Sequence, residues 1–437
     1  MTTVTRLPFH IMDEVLAHSD DPVEPVTVQI EAQATGRLDP ERTHAAVAAA
    51  IMIHPLARAR LEPWCDSDVG YEWLIDPTPQ IDPFRVVDAP DDDLDRVRSE
   101  FYSRPLSLFE SPPLRVLLVC GSRADTLMVS LHHSASDGMG ALRFLQSVLR
   151  HYGDLDDPLP SIEPGEAREL AVPKEAPTPG DLVRMGKVEL QRLSRIGPRS
   201  TRLVPVGGVE RAGYGVHTME LALGPVVASP IRKEEGATVN DLLIVAASRA
   251  AARWIDDHDG EAAKISVSMP INARPAEWST EIVANLVSGE AVATTRKQRE
   301  STRGCLSVVA GWTDAVKARG PGPAIAALAR VPHRGVGARR TAMRAASWLG
   351  AGNVTGTMIL SNLGRIAPDW LGAGAPEVTR VYFSPPAAMP SGLGLGVVAI
   401  GETLVLTLRH RWALWSSEAA QQFAALLRSE LDEASAS

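Results

Sequence analysis

The sequence predicts an α/β or α+β protein with two lobes, and three observations lead to that fold class. The 437 residues are more than one hydrophobic core usually organises. Patterns typical of helices alternate with short apolar patterns typical of strands on both sides of the middle of the chain. A proline-rich stretch separates the two sides. We therefore expect mixed sheets flanked by helices, with an N-terminal lobe at residues 1–155, a crossover linker at 156–215 and a C-terminal lobe at 216–437.

The composition excludes several classes of protein. Hydrophobic residues make up 45% and charged residues 22% of the chain, as in ordinary globular proteins. The formal net charge of −9 argues against general nucleic-acid binding, which requires a dominant positive field. Cys65, Cys120 and Cys305 are odd in number and far apart, so the sequence indicates neither a disulfide framework nor a zinc site, and no metal is expected.

The chain also lacks the usual marks of export or membrane insertion. Its N-terminal residues contain no apolar core of signal-peptide length. Nowhere do about 18 apolar residues follow one another without a charge, so we expect no transmembrane segment. A cytoplasmic protein is the simplest expectation, and peripheral contact with a membrane stays open.

The elements of the N-terminal lobe follow from hydrophobic periodicity and from turn residues. Helices are predicted at residues 40–53, 91–101 and 138–152, and strands at 114–120 and 126–133. Only five residues, GSRAD, separate these two strands, so we expect them to form a hairpin.

The C-terminal lobe repeats the alternation after a linker in which one helix is predicted at 181–196. Its strands are predicted at 216–223, 265–270, 357–360, 378–383, 393–400 and 404–409. Thr238 is expected to cap one long helix, and a final helix is predicted at 417–431. The last two strands flank Gly401-Glu402, which is typical of a tight hairpin.

The chemistry of the chain centres on residues 132–138, which read HHSASDG and join the second hairpin strand to the next helix. Successive strand side chains point to opposite faces, so His132 and His133 are not expected to share a metal. One histidine should face a cleft and the other should pack. We expect Ser136 to cap the helix, and Gly138 permits a close backbone approach.

A histidine in this place suits proton transfer. A neutral imidazole can take a proton from an alcohol or amine while that group attacks a thioester carbonyl. Backbone amides at the start of the helix could stabilise the developing oxyanion. Two histidines, an aspartate and a glycine at one strand-to-helix junction favour this over the structural role that a lone histidine usually has. Asp137 could either orient the histidine or hold the loop through a cation elsewhere.

The segment resembles the HHxxxDG signature of the acyltransferase superfamily that includes chloramphenicol acetyltransferase. Nonribosomal peptide condensation domains, polyketide-associated acyltransferases and bacterial wax ester synthases belong to the same superfamily. Further segments resemble its motifs in the same order: PPLR at 112–115, TVND at 238–241, MPINARP at 269–275, NLV at 285–287 and SNLGR at 361–365. The segment SNLGR resembles the corresponding segment of those family members that are free-standing proteins. Together these segments span roughly residues 110–366.

The resemblance implies two chloramphenicol-acetyltransferase-like lobes with a central tunnel. It implies that His133 is the catalytic base at the tunnel centre, whereas His132 and Gly138 are supporting residues. It also implies that Asp137 forms a structural ion pair with an arginine. Arg274 is the first candidate for that partner because its segment resembles the family motif, and Arg365 is the second.

The substrates that the resemblance implies are a thioester donor and a small-molecule acceptor. The donor is an acyl-CoA, or an acyl or peptidyl carrier protein, which enters from one face, and an alcohol or amine enters from the other. Coenzyme A or phosphopantetheine is thus part of a substrate, and no tightly bound cofactor is expected. The expected enzyme is an ester- or amide-forming acyltransferase of specialised or lipid metabolism that transfers groups other than aminoacyl. The alternatives are a wax ester synthase or diacylglycerol acyltransferase, and a non-catalytic condensation-like module that binds a carrier protein.

Three polar residues of the C-terminal lobe are candidates for substrate binding. Asn240 lies beside Asp241 at a helix start, so it could line the tunnel or help to cap the helix. Ser361 and Asn362 could contact the acyl carbonyl or belong to a turn.

Other basic residues have less specific interpretations. The stretch 321–350 could be a solvated helix face, a contact for phosphates or an attachment to an anionic membrane; its arginines are Arg330, Arg334, Arg339, Arg340 and Arg344. His410 is expected at the surface. His10 is expected to pack, with a tunnel role left open.

Overall fold

The computed structural model of the chain describes residues 4–65, 68, 70–158, 165–166, 200–274, 282–319, 335–337, 340–341 and 356–437. The helix predicted at 181–196 and most of the stretch 321–350 lie outside these residues. Within them the chain forms fourteen strands and nine α-helices.

The observed elements have the following bounds. The strands are β1 (Thr5–Pro8), β2 (Thr27–Ala34), β3 (Ala59–Leu61), β4 (Glu72–Ile75), β5 (Phe84–Asp88), β6 (Leu114–Cys120), β7 (Thr126–His132), β8 (Tyr214–Ala222), β9 (Lys264–Asn272), β10 (Val287–Thr295), β11 (Met358–Ile366), β12 (Val378–Ser384), β13 (Leu393–Ile400) and β14 (Thr403–Arg411). The helices are α1 (Ile11–Ser19), α2 (Pro40–Ile53), α3 (Leu94–Tyr102), α4 (Gly138–Tyr152), α5 (Leu223–Ala228), α6 (Pro230–Glu234), α7 (Val239–Asp257), α8 (Thr302–Arg319) and α9 (Ser417–Ala436).

The strands form two mixed sheets and a small one, so the predicted fold class is confirmed. The first sheet has five strands in the order β12-β2-β7-β6-β5, and the second has six in the order β10-β9-β11-β13-β14-β8. Strands β1, β4 and β3 form the small sheet. The predicted hairpins β6–β7 and β13–β14 are both present as antiparallel pairs.

One strand of the C-terminal half lies in the first sheet. Strand β12 pairs antiparallel with β2, and Phe383 stands opposite Ile30. Val398 and Val405 of the second sheet are fully buried in the same hydrophobic cluster as Val116 of the first. The two halves therefore share a core, although the lobe boundaries at 155 and 216 stay a prediction.

Helices cover each sheet as the hydrophobic pattern requires. Helix α4 places Phe144 and Leu145 in the core beneath the first sheet. Thr238 caps helix α7 as predicted, and the Asp241 side chain completes the capping box. Its Trp254 packs edge-on against Trp415 in the second core, with ring centroids 4.9 Å apart. Among the described residues no helix has the length and apolar character needed to cross a membrane.

In the C-terminal half, one predicted strand is longer than expected, and the prediction that His410 lies at the surface is wrong. The strand predicted at 357–360 continues to Ile366, because β11 pairs in parallel with β13 on both sides of a bulge. His410 is buried rather than exposed, because β14 lies between β13 and β8 and both its faces are covered. Burial lowers the pKa of His410 to about 4.

Candidate active site

The connection between β7 and α4 carries the histidine segment. Asp137, and not Ser136, is the N-cap of α4, because its Oδ1 accepts the hydrogen bond from Gly140 N–H at 2.9 Å. The Ser136 hydroxyl instead donates to the carbonyl of Asp137 at 3.1 Å. The prediction of Ser136 as the cap is therefore wrong by one residue, since the aspartate carboxylate reaches the free amides of the first turn.

His133 has a half-buried ring whose pKa is displaced. Its backbone N–H donates to the carbonyl of Val26 at 3.0 Å. Burial lowers the pKa of His133 below its usual range, and the nearby Asp137 carboxylate offsets only part of that shift. The ring is therefore neutral near pH 7. The backbones of His133 itself and of Ser136 also lie beside the ring and raise its pKa to a smaller extent.

His132 has different surroundings from those of its neighbour. Its side chain is fully buried, and its Nδ1 accepts the hydrogen bond from Ser134 N–H at 3.2 Å. The ring proton therefore lies on Nε2, which is 3.4 Å from Oδ2 of Asp20. The two histidines have no common partner among these contacts, and their division into a packed ring and a ring available for chemistry stays a prediction.

The Asp137 carboxylate forms an ion pair with a residue from the C-terminal half. Arg274 Nη1 lies 2.6 Å from Asp137 Oδ2, and both side chains are buried. The backbone N–H of Leu286 donates to the same oxygen at 2.8 Å. Burial would raise the pKa of Asp137, but Arg274 and the amides of Gly140 and Leu286 outweigh it and hold the pKa below its usual range. The carboxylate therefore stays ionised and links the two halves.

Arg274 was the first candidate for this partner, and the second candidate lies elsewhere. Arg274 Nη2 also donates to the carbonyl of Ala284 at 2.8 Å, so the guanidinium bridges two segments. Arg365 instead forms an exposed ion pair with Glu402 at 2.8 Å.

Gly138 lies where three segments of the chain meet. A Cβ on this residue would lie 2.8 Å from Leu363 Cδ2 and 2.9 Å from the ring of Phe383. The absence of a side chain therefore lets the start of α4 approach the SNLGR segment and β12, as the sequence suggested for this glycine.

The candidate substrate-binding residues contact one another in part. Asn362 Nδ2 donates to Oδ1 of Asn240 at 3.3 Å, and Asn240 Nδ2 lies 3.1 Å from Sδ of Met269. Ser361 precedes Asn362 on β11 and is largely buried. Asp241 is occupied by capping and by the hydroxyl of Thr313, which donates to it at 2.8 Å. The substrate roles of Asn240, Ser361 and Asn362 stay predictions.

The remaining candidates have structural contacts. His10 is the N-cap of α1. Arg340 lies over the ring of Trp64 at 5.3 Å, and the other four arginines named in its stretch lie outside the described residues. Among the residues that the structure describes, no group of three histidine, cysteine or acidic side chains could hold a metal ion.

The structure adds contacts that sequence reasoning missed. Asp20 lies behind His132, and the backbones of Val26, Ala284 and Leu286 bind the histidine segment. Three of these four act through the peptide group, which every residue carries, so their side chains do not indicate the contacts, and only Leu286 lies in a segment that the resemblance had singled out. Two surface clefts, one beside Asp91 and one beside Arg115, are not lined by His133, and the central tunnel stays a prediction.

Comparison with known proteins gives relatives over the whole chain. No protein-family model matches it. The uncharacterized proteins Rv2305 and MT2362 of Mycobacterium tuberculosis, strains H37Rv and CDC 1551, are each 33% identical over 437 residues, which cover 99% of this chain and 100% of each relative.

Several solved structures have the same fold at low sequence identity. The first condensation domain of the CDA synthetase superposes with a TM-score of 0.72 at 14% identity, over 100% of this chain and 97% of that chain. SgcC5 from Streptomyces globisporus gives 0.64 at 17% identity, with 98% of each chain covered. The starter condensation domain of rhizomide synthetase RzmA, in complex with C8-CoA and Leu-SNAC, gives 0.65 at 15% identity, over 99% of this chain and 94% of that chain. These likenesses establish a condensation-domain fold.

Proposed function

This chain belongs to the family that contains the mycobacterial protein Rv2305 and has the fold of condensation domains, and on that premise we propose that it is an acyltransferase. The reaction moves an acyl group from a thioester to an alcohol or an amine, with His133 as the general base. The donor is an acyl-CoA or an acyl group on the phosphopantetheine arm of a carrier protein. The product is an ester or an amide, and the transferred group is other than aminoacyl.

The state of the His133 ring is the observation that carries this proposal. Burial favours the neutral imidazole, which has a lone pair that can accept a proton near pH 7. The ring lies beside the Asp137 carboxylate and the backbone of Ser136, at the junction of β7 and α4. Perturbed titration at a junction of several chain segments is typical of functional sites.

The proposed reaction needs one base and one thioester. The acceptor oxygen or nitrogen bonds to the thioester carbonyl carbon while the His133 imidazole takes the acceptor proton. The carbon–sulfur bond then breaks, and the imidazolium returns the proton to the departing thiolate. Each turnover consumes one thioester and one acceptor and releases one free thiol.

Asp137 supports the base without exchanging protons in this proposal. Its carboxylate is occupied by Arg274, by Leu286 N–H and by Gly140 N–H. These contacts hold the loop that carries His133 against the C-terminal half. The charge of Asp137 also moderates the loss of basicity that burial causes in the His133 ring.

Acyl transfer is tested by incubating the purified chain with a panel of acyl-CoAs and acyl-loaded carrier proteins, with alcohols and amines as acceptors. Intact-mass detection of ester or amide, with stoichiometric release of free thiol, is the expected result. A preference for long acyl chains and fatty alcohols or diacylglycerol would identify the wax ester or diacylglycerol reaction. Carrier-protein binding without product from any donor would overturn the proposal in favour of a non-catalytic module.

A further inference from the structure

Asp20 lies behind the proposed catalytic histidine and binds two different groups. It follows α1 directly in the chain. Its Oδ1 accepts the hydrogen bond from Val26 N–H at 2.8 Å. Its Oδ2 lies 3.4 Å from Nε2 of the buried His132 ring, which is an ion-pair distance without hydrogen-bond geometry. The two oxygens of one carboxylate therefore face two separate nitrogen atoms.

Val26 and His132 each also form a hydrogen bond with a backbone amide next to the His133 side chain. The carbonyl of Val26 accepts the hydrogen bond from His133 N–H at 3.0 Å. The His132 ring accepts the hydrogen bond from Ser134 N–H at 3.2 Å through its Nδ1. Asp20 thus reaches the amide of His133 and the amide that follows it, through one intermediary each.

The charge state of Asp20 suits this arrangement. Burial would raise the pKa of Asp20, but His132 and the Val26 amide outweigh it and hold the pKa below its usual range. The carboxylate is therefore ionised at neutral pH and offers an acceptor to each donor. A neighbouring carboxylate that faces one ring nitrogen also fixes which nitrogen carries the proton.

We propose that Asp20 is a positioning residue that fixes the backbone on both sides of His133 through His132 and Val26. This role rests on the proposed function of His133 as the base. A base must be held within a fraction of an ångström of its productive position, and misplacement by about 1 Å costs about 100-fold in rate. Asp20 supplies part of that constraint without touching the substrate.

The substitution Asp20→Asn tests the need for two acceptors. An amide has one acceptor and one donor end, so either Val26 N–H or the Nε2–H of His132 would face a second donor. We expect kcat to fall about 10- to 100-fold while KM stays unchanged, because the substrate contacts are intact. Asp20→Glu keeps both acceptors and should recover part of the loss.

Asp21→Asn is the matched control, since the neighbouring carboxylate accepts from Val23 N–H and an asparagine oxygen can do the same. We expect this variant to keep the kcat of the unaltered chain. Loss of kcat in Asp21→Asn as large as in Asp20→Asn would overturn the positioning role, because it would indicate a general effect of this turn.

A double-mutant cycle tests the route through His132. Once His132→Ala has removed the ring, adding Asp20→Asn should cost little more, because the asparagine oxygen still accepts from Val26 N–H. Losses of kcat that multiply as for independent sites would overturn the role.

Nuclear magnetic resonance gives a readout that does not depend on turnover. We expect the His132 ring to carry its proton on Nε2, and we expect Asp20→Asn to shift the proton toward Nδ1 and to speed exchange of the Ser134 amide. An unchanged tautomer and unchanged exchange would overturn the positioning role even in an active enzyme. Absence of turnover in the unaltered chain, with the tautomer shift present, would instead overturn the proposed function alone.

Discussion

Two buried arginine–carboxylate pairs lie where the N-terminal and C-terminal halves meet, and they differ in what surrounds them. Arg274 and Asp137 hold the loop of the proposed base. Arg98 and Glu31, 2.9 Å apart, are as deeply buried, and the Arg98 guanidinium lies 4.2 Å above the ring of Tyr382 from β12. None of the contacts of this second pair reaches the histidine segment. The same interaction therefore occurs once beside the candidate chemistry and once away from it.

Because only one of the two pairs lies beside His133, variants of the two pairs distinguish an effect on stability from an effect on catalysis. Removing one partner of a buried pair leaves a charge without compensation, so both pairs should contribute to stability in a similar way. Only Asp137 lies close enough to His133 for its charge to raise the pKa of that ring. A variant of the Glu31 pair thus shows what unfolding alone does to turnover.

The largest effect is expected for Asp137→Ala compared with Glu31→Ala. Each should lower the free energy of unfolding by about 3–5 kcal/mol, because a buried arginine loses its buried carboxylate and Arg98 keeps only the half-exposed Asp95, 2.9 Å away. At a temperature where both remain folded, only Asp137→Ala should lose most of its turnover. Urea unfolding and rates of thiol release measure the two quantities. If Glu31→Ala lost as much turnover per folded molecule as Asp137→Ala, the proposed difference between the two pairs in catalysis would be contradicted.

A smaller effect is expected for Gly138→Ala, which tests the packing around the first pair. The added Cβ would lie within 3 Å of Leu363 and Phe383, and such overpacking costs about 1–3 kcal/mol. Gly289→Ala in β10 is the matched control, because a Cβ there would meet nothing within 4 Å. Thermal unfolding of the two variants provides the comparison. Equal destabilisation would mean that the close approach at Gly138 has no energetic weight.

The pH dependence of kcat/KM is expected to respond to Asp137 and not to Glu31. The Asp137 carboxylate raises the pKa of His133 and opposes the lowering by burial. Asp137→Asn removes that charge, so the pKa of His133 should fall, and the acid limb of kcat/KM should move to lower pH. Glu31→Gln should leave the limb in place. A limb that moves to higher pH in Asp137→Asn would show that another group titrates there.

The smallest effect is expected at the exposed pair of Arg365 and Glu402. Both side chains are more than half exposed, so Arg365→Ala should change the free energy of unfolding by about 1 kcal/mol or less. Arg274→Ala should cost several times more, because its carboxylate partner is buried. Denaturation curves of the two variants test this ranking, and a costly Arg365→Ala would contradict it.

The local elements around the site follow from the sequence because their signals are local. Strand β6 and helix α4 have the predicted bounds, and Thr238 caps α7 as its side chain indicates. The pairing of Asp137 with Arg274 joins residues far apart in the chain, so only the resemblance to a family could suggest it.

The parts that sequence did not predict depend on long-range packing. The burial of His410 follows from the position of β14 inside its sheet, which periodicity does not encode. The pairing of β12 with β2 likewise needs the whole fold. Asp20 has no neighbouring motif, and its contacts with His132 and Val26 arise only when the fold brings these residues together.

The most direct test of the account is the turnover of His133→Ala with a donor and acceptor found active in the panel. We expect a loss of about 100- to 10,000-fold relative to the unaltered chain in a variant that remains folded, because a general base is removed and no ion pair is broken. His44→Ala, which removes an exposed histidine, should retain full activity. Full turnover in a folded His133→Ala variant would contradict the assignment of His133 as the base.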